Sequence, residues 1–275
     1  MQHLLLVDET FDLNFTQEYH LSIQISLDGF SFCIRDGLQN KYIYLFHKEF
    51  SGNPKLMHRK LQDIYAEFDI LQADFKSIRI HYSSPGKMTL LPEAYFDEQE
   101  GRTAYALNMD LGNDEALHYL PVKAYQMVLQ FAIPKKVKHF LSDKHPGILI
   151  QNELIAQLDK NADQASAQPR IDVQVYRNQL TMTLVDQSIR FCNSFMYRND
   201  TDLLYYILNL VQTEKMDAPR IQLNGRVNKR SPIYHQLRQY FKDVSIAQRS
   251  TEVYYSYLFD QLPDARFVNL LNNYA

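Results

Sequence analysis

The sequence is poor in cysteine and has no long apolar run. Among its 275 residues only two are cysteines, Cys33 and Cys192, and each stands alone in a strand-like segment. That pattern excludes a disulfide framework and favours a reducing compartment. The N-terminal apolar run, Leu4 to Val7, is too short for the core of a signal peptide, and no segment offers the roughly 18 apolar residues that span a bilayer. We therefore expect a cytoplasmic protein without membrane insertion.

Glycine is scarce, and positive and negative charges nearly balance. The chain has eight glycines, and Gly225 is the only one after Gly147. A phosphate cradle needs glycine or other small residues where the backbone approaches the phosphates. A glycine-built cradle is therefore not expected in the second part of the chain. A formal net charge of −3 gives no overall attraction to nucleic acid, so any such contact needs a local basic patch.

The common catalytic and metal-binding motifs are missing. The nine histidines are scattered without an HExxH motif, and the cysteines form no CxxC. The closest histidine pair, His139 and His145, flanks a Lys-Pro-containing loop and is typical of exposed loop residues. A ribonuclease H-type nuclease needs several carboxylates at the end of its sheet, but Ser26 and Tyr176 stand where an acid is required. We therefore predict no catalytic residue, no metal site and no cofactor.

Tyrosine and phenylalanine, by contrast, are abundant, and they mark an internal duplication. The 19 Tyr and 16 Phe residues fall largely in runs where apolar and polar residues alternate, as in half-buried strands. Residues 23–36, IQISLDGFSFCIRD, align without a gap on residues 173–186, VQVYRNQLTMTLVD, and apolar and polar positions mostly coincide. Each segment therefore has the period-2 pattern of a two-stranded hairpin.

The segments after the two hairpins also correspond. A third strand, an amphipathic helix and a further strand follow in the same order in each repeat. In the first repeat these are Lys41–Phe50, a helix with Leu56, Leu61, Ile64, Tyr65 and Phe68 on one face, and Ser77–Tyr82. In the second they are Ser188–Tyr197, a helix with Leu203, Leu204, Ile207, Leu208 and Val211 on one face, and Arg220–Gly225. Three antiparallel strands followed by a helix and a parallel strand predict two similar α/β halves.

The boundary between the halves is placed at ADQASAQP, Ala162–Pro169, which is small and polar like a linker. The predicted first half covers residues 1–162, with an N-terminal extension and an insertion, and the second half covers residues 170–275. Asn53 and Pro54 are expected to cap and begin the first helix. The remaining predicted helices are Pro92–Leu107, Pro134–Leu141, Asn152–Asn161, a helix that begins at Ser231, and Asp264–Asn272. The remaining predicted strands are Gly147–Gln151, Val244–Ala247 and the segment Ala116–Ile133, which is expected to break into two strands at Pro121.

The duplicated order resembles the ribonuclease H-like module, two of which build actin and the pilus and division proteins PilM and FtsA. Taken whole, the sequence is similar to a family of uncharacterised bacterial proteins, a domain-of-unknown-function family with an actin-like ATPase fold. The stretches that carry this likeness are Tyr19–Phe32, YHLSIQISLDGFSF, and Phe191–Leu210, FCNSFMYRNDTDLLYYILNL. The resemblance covers nearly the full chain and contains no catalytic motif, so it implies a fold rather than a function.

The resemblance also implies where a nucleotide would bind. Actin-like ATPases hold the phosphates between two hairpin turns, one from each half. Here the turn Leu27–Phe30 keeps one acid and one glycine, whereas the turn Arg177–Leu180 keeps neither. The adenosine side would use a glycine pair, of which only Gly225 is present. The candidate nucleotide-binding residues are Asp28, Gly29, Asn224 and Gly225, and the alternative is that such turns only close hairpins.

A short basic segment follows the last strand of the second repeat. Its cationic residues are candidates for contact with an anionic partner: Arg220, Arg226, Lys229 and Arg230. Asp217 and Asp243 border the segment, and no aromatic residues alternate with the charges. A solvated surface is therefore the alternative interpretation.

Three functional hypotheses follow from these observations. The first is a non-catalytic scaffold with a degenerate nucleotide site, whose partner is another protein or a second copy of this chain. The alternative is a divergent ATP-binding protein of the actin-like ATPase superfamily, which would bind ATP and magnesium. The third is an RNA-associated accessory protein that uses the basic residues, although the net charge disfavours nucleic acid.

Overall fold

The computed structural model describes residues 3–26, 28–50, 56–84, 86–163, 168–263 and 265–272, and within them it is an α/β protein. The strands are β1 His3–Val7, β2 Tyr19–Ile25, β3 Gly29–Asp36, β4 Lys41–Glu49, β5 Ser77–Tyr82, β6 Met88–Pro92, β7 Glu115–Val122, β8 Met127–Pro134, β9 Ile150–Asn152, β10 Arg170–Val175, β11 Gln179–Val185, β12 Ile189–Met196, β13 Arg220–Gly225, β14 Val244–Ile246 and β15 Tyr254–Tyr255. The helices are α1 Met57–Glu67, α2 Gly101–Ala106, α3 Lys135–Lys144, α4 Glu153–Asp163, α5 Asp200–Thr213, α6 Pro232–Tyr240 and α7 Val268–Leu271. None of the helices in these ranges combines the length and the hydropathy needed to cross a membrane.

Two of the sheets repeat a single strand order. The first contains the sequence β4-β3-β2-β5-β9, and the second is β12-β11-β10-β13-β14. In each sheet three strands pair antiparallel, a fourth strand pairs in parallel with the first of them, and a fifth pairs in parallel with the fourth. This is the strand order of the ribonuclease H-like module, so the predicted pair of similar halves is confirmed.

The duplication extends to the register of the hairpins. Ile23 lies opposite Phe32 in the first hairpin, and Val173 lies opposite Met182 in the second. Both turns close with the same backbone hydrogen bond, from the residue-26 amide to the residue-29 carbonyl and from the residue-176 amide to the residue-179 carbonyl, each at 2.9 Å. The gapless alignment of the sequence therefore corresponds to two hairpins with equivalent strand pairing. Leu27, in the first turn, lies outside the described residues.

Each half buries a helix against its sheet. In α1 the predicted apolar face is buried at Leu61, Ile64 and Tyr65. In α5 the buried face includes Ile207, and Asn199 caps the helix by accepting the amide of the third helical residue. Full burial of one such aliphatic side chain contributes about 1.5–3 kcal/mol. The predicted capping residues of α1, Asn53 and Pro54, lie outside the described residues, as does the middle of the predicted linker.

The insertion differs from its prediction in two places. Residues 88–134 include a third sheet, in the antiparallel order β6-β8-β7. The predicted helix at Pro92–Leu107 is reduced to a short 3-10 turn and α2, because the chain before it is engaged in β6. The predicted break at Pro121 is wrong, since β7 continues through it to Val122. Because β7 is an edge strand of this sheet, a residue without an amide N–H is tolerated there.

The C-terminal segment packs against the first sheet. Strand β15 pairs in parallel with β4, placing Tyr254 opposite Lys41. Phe259 and Leu270 are fully buried in a separate apolar cluster that includes Leu45 of β4. The division of the chain into residues 1–162 and 170–275 stays a prediction, and this segment forms a contact between the two predicted halves. Of the predicted last helix, α7 is observed and Asp264 lies outside the described residues.

Candidate functional site

The carboxyl ends of the parallel strands in both halves meet at one cleft. The two hairpin turns lie at this cleft and are in contact: the backbone amide of Arg177 donates a hydrogen bond to Asp28 Oδ2 at 2.7 Å. In open α/β sheets ligands bind outside the carboxyl ends of the strands. The cleft is therefore the place to test the predicted nucleotide-binding residues.

The first predicted pair, Asp28 and Gly29, is engaged in contacts within the protein. Besides receiving the Arg177 amide, Asp28 accepts the Phe50 amide on its backbone carbonyl at 2.8 Å. The Gly29 amide donates to the Ser26 carbonyl at 3.3 Å and to the Ser26 hydroxyl at 3.2 Å. A Cβ at position 29 would lie 2.5 Å from the Lys48 carbonyl oxygen. Close packing against β4 therefore explains why this residue is glycine.

The second predicted pair, Asn224 and Gly225, is engaged in the same way. Asn224 accepts the Gly225 amide at 2.8 Å and donates its side-chain amide to Asn269 Oδ1 at 2.7 Å. Gly225 has φ +88°, and a Cβ there would collide with the Val175 carbonyl oxygen. The Gly225 amide also donates to the Ala265 carbonyl at 3.1 Å. Backbone conformation and close strand packing account for this glycine without a ligand.

A buried carboxylate lies between the two halves. Glu153, the first residue of α4, is 5% exposed. Its Oε1 accepts the hydroxyls of Ser83, at 2.6 Å, and of Tyr176, while its Oε2 accepts the Gln24 amide at 2.7 Å. Burial raises the pKa of Glu153 to about 7, with the nearby Asp28 charge adding to the shift and the hydrogen bonds opposing it. Because Tyr176 comes from the second half, this carboxylate connects the halves across the cleft.

Further amide side chains fill the space around Glu153. Asn269 donates to Gln174 Oε1 at 3.1 Å, and Asn152 donates to the Ser84 hydroxyl at 3.0 Å. The cavity left among these residues is about 10 Å³, which has room for at most one water molecule. Polar side chains that hydrogen-bond to each other therefore occupy this part of the cleft.

A cluster of charges lies beside the two touching turns, at the edge that we call the mouth of the cleft. Glu49, at the end of β4, accepts three guanidinium groups: Arg226 at 2.7 Å and Arg266 at 3.2 Å on Oε1, and Arg177 at 2.7 Å on Oε2. We call these three residues the mouth arginines. The hydrogen bond from Arg226 lowers the pKa of Glu49. The cluster is half-exposed, so each ion pair contributes little to stability by itself.

The structure separates the predicted basic residues. Arg226 belongs to the mouth arginines, and Lys229 and Arg230 are exposed on the loop that follows it. Arg220 lies at the opposite end of β13, where its Nε donates to Gln168 Oε1 at 2.8 Å. In the described part of the chain, no group of three or more His, Cys, Asp or Glu residues is placed to hold a metal ion.

The sequence interpretation missed four residues of this site: Glu49, Glu153, Arg177 and Arg266. Arg177 was noticed only because its turn lacks an acid and a glycine. Glu153 lies at the start of a helix that was predicted at Asn152–Asn161, but no local pattern marks it as buried. Its burial depends on how the second half packs against the first, and therefore on contacts between residues far apart in sequence.

Comparisons with known proteins agree with the fold. A family model described as protein of unknown function (DUF3822) matches residues 8–244. Comparison with curated proteins gives no match. Among solved structures, the chain is similar to a Bacteroides thetaiotaomicron VPI-5482 protein described as having an actin-like ATPase fold and unknown function. The TM-score is 0.78 at 21% identity, covering 86% of this chain and 93% of that chain.

A second similar structure comes from a PilM-PilN type IV pilus biogenesis complex. Its TM-score is 0.64 at 9% identity, covering 92% of this chain and 96% of that chain. These likenesses show the actin-like ATPase fold that the sequence resemblance implied. At such identities they show the fold and not the function.

Proposed function

The chain belongs to the DUF3822 family of proteins of unknown function, and we propose that it is a non-catalytic scaffold that binds another protein. The observation that carries this proposal is the buried network around Glu153, which occupies the cleft with the protein's own side chains. A scaffold of this kind uses the two halves as a rigid framework, and the cleft serves to join them.

Binding of a nucleotide would oppose this arrangement in two ways. It would break the hydrogen bonds of Glu153 and of its amide neighbours, and each buried polar group left without a partner costs about 1–3 kcal/mol. It would also place phosphate charge beside the Asp28 carboxylate, which repels anions, and beside the buried Glu153, which offers no positive charge to balance it. The backbone amides that a phosphate would need, at Gly29, Arg177 and Gly225, already donate within the protein.

Two further observations bear on the partner and on the cellular compartment of the proposed scaffold. The PilM neighbour is described in a complex with another protein, which agrees with a protein partner for a chain of this fold. Cys33 and Cys192 are free thiols, as expected in a reducing compartment. These observations support our proposal that the protein is cytoplasmic.

Nucleotide binding is the direct test. In isothermal titration of the full chain with ATP and magnesium, we expect no saturable binding up to about 1 mM, which corresponds to a binding free energy weaker than about −4 kcal/mol. The reason is that the Glu153 network and the two touching turns occupy the cleft. A saturating isotherm in the micromolar range would refute the scaffold proposal.

The rival function is a divergent ATP-binding protein, and the Asp-Gly turn at Asp28 and Gly29 is the observation that favours it. Under that hypothesis ATP and magnesium would bind through these two residues with Asn224 and Gly225. Replacing Asp28 by alanine separates the two functions. We expect Asp28→Ala to lower the free energy of unfolding by about 1 kcal/mol, because the Arg177 amide loses its acceptor, and to leave the ATP titration unchanged.

Urea unfolding and ATP titration of the same Asp28→Ala sample provide the control. If the wild type binds ATP and the folded variant does not, Asp28 is a nucleotide ligand and the rival function is correct. A loss of stability with equally flat titrations supports a plain hairpin turn that contacts the other half.

A further inference from the structure

The mouth arginines have more hydrogen-bond donors than Glu49 uses. Arg177, Arg226 and Arg266 each give Glu49 one hydrogen bond, and no other side-chain acceptor in the described residues is bonded to them. A guanidinium has five N–H donors in a planar fork that matches a carboxylate two at a time. Their side chains are 34–44% exposed, so a second anion can reach the unused donors from solvent.

The charge around Glu49 is also unbalanced. Three cations face Glu49, and Asp28 is the other carboxylate at the turn. Burial and the neighbouring positive charge of Arg226 lower the pKa of Arg266, which indicates that the guanidinium groups repel each other. Lys229 and Arg230 add exposed positive charge on the loop after Arg226. The mouth of the cleft is therefore locally positive on a chain with a formal net charge of −3.

The shape of the site favours a carboxylate over a nucleic acid backbone. The three guanidinium groups converge on one point, whereas a strand of phosphates needs basic residues along a groove and exposed aromatic rings on which bases stack. Arg220 lies at the far end of β13 and does not extend the site. The ring beside Arg266 is Phe267, which is 4% exposed and unavailable for stacking.

We propose that the mouth arginines are a recognition site for carboxylate groups of an acidic segment on a protein partner. Glu49 orients the guanidinium groups in the free protein, and the partner's carboxylate binds through their unused donors. This inference rests on the proposed scaffold function and names the chemistry of its partner. Because the contacts are charged and half-exposed, binding weakens as salt screens them.

The test is fluorescence anisotropy of the full chain with fluorescein-labelled hexaglutamate at low salt. We expect saturable binding that is about tenfold weaker in Arg177→Gln and in Arg226→Gln, since hydrogen bonds to charged groups contribute about that factor or more. Arg220→Gln, at the opposite end of the strand that precedes Arg226, is the matched control, and it should change the dissociation constant less than about twofold. Glu49→Gln should strengthen binding several-fold, because it removes the internal competitor for the guanidinium groups.

Three outcomes would overturn the site. They are an absence of saturable hexaglutamate binding, an equal loss in Arg220→Gln, and tighter binding of a labelled RNA hexamer that depends on the same arginines. Circular dichroism melting confirms that each variant is folded, and the two arginine variants decide the question if Glu49→Gln unfolds. ATP is titrated in the same buffer: ATP binding refutes the scaffold function, whereas no binding of either ligand refutes only the arginine site.

Discussion

Replacing Gly225 by alanine is expected to lower the free energy of unfolding by about 3–5 kcal/mol. Gly225 adopts φ +88°, which alanine reaches only with strain, and the new Cβ would collide with the Val175 carbonyl oxygen. Neither backbone can move away easily, because Val175 and Gly225 are paired partners in the parallel ladder of β10 and β13. Urea unfolding at 25 °C measures the change.

A second glycine separates strain from collision. Gly147 has φ +78°, but a Cβ there meets no atom within 4 Å. Gly147→Ala should therefore lower the free energy of unfolding by only about 1 kcal/mol, which is the contribution of the positive φ without a collision. If both variants lose the same stability, close packing does not explain Gly225. If Gly225→Ala is stable but abolishes ATP binding that the wild type shows, Gly225 serves a nucleotide and the rival function is supported.

The hairpins show how much of this fold can be predicted from an amino-acid pattern. Alternation of apolar and polar residues predicted the strands of both hairpins, because one face of each strand is buried. The turns close one residue earlier than the predicted Leu27–Phe30 and Arg177–Leu180, between residues 26 and 29 and between residues 176 and 179. The alternation pattern did not reveal β6. This strand is short, and its partner β8 lies almost 40 residues later in the chain. Pro92, which suggested a helix start, is the last residue of that strand.

The candidate site was less predictable than the fold. Asp28, Gly29, Asn224 and Gly225 lie in or beside the strand ends where they were predicted. Their hydrogen-bond partners include residues far away in the sequence, such as Arg177, Ala265 and Asn269. The contact of Asp28 with Arg177 and the convergence of three arginines on Glu49 join residues more than 120 positions apart. Such contacts follow from the packing of the halves, which no periodicity in the sequence describes.

Replacing Glu153 by glutamine is expected to stabilise the protein at pH 8 by about 2 kcal/mol and to change it little at pH 5. Burial raises the pKa of Glu153 to about 7, with the nearby Asp28 adding to the shift. A carboxyl with a raised pKa in the folded state contributes stability that is fully present below about pH 4.5 and is lost as pH rises through 7. Glutamine remains neutral, so the difference between variant and wild type should grow across this range.

The hydrogen bonds of Glu153 allow this substitution. A glutamine oxygen can accept the Gln24 amide, and its NH₂ group can donate to the hydroxyls of Ser83 and Tyr176, which act as acceptors as readily as donors. Urea unfolding from pH 5 to 9 measures the difference in the free energy of unfolding between Glu153→Gln and the wild type. The other titrating groups, including the buried histidines, are the same in both proteins, so their effects cancel in this difference. The exposed Glu67, paired with Lys48 at 2.9 Å, provides a surface control.

Glu67→Gln should change stability by less than about 1 kcal/mol, because an exposed ion pair contributes little. Glu153→Gln differs because the charge it removes is buried at the contact between the halves. A pH-independent loss of stability in Glu153→Gln would mean that the carboxylate is ionised in the folded protein and that its negative charge holds the halves together. A gain confined to pH above about 7 would mean that the cleft closes around a neutral carboxyl, an environment in which a nucleotide phosphate has no compensating charge.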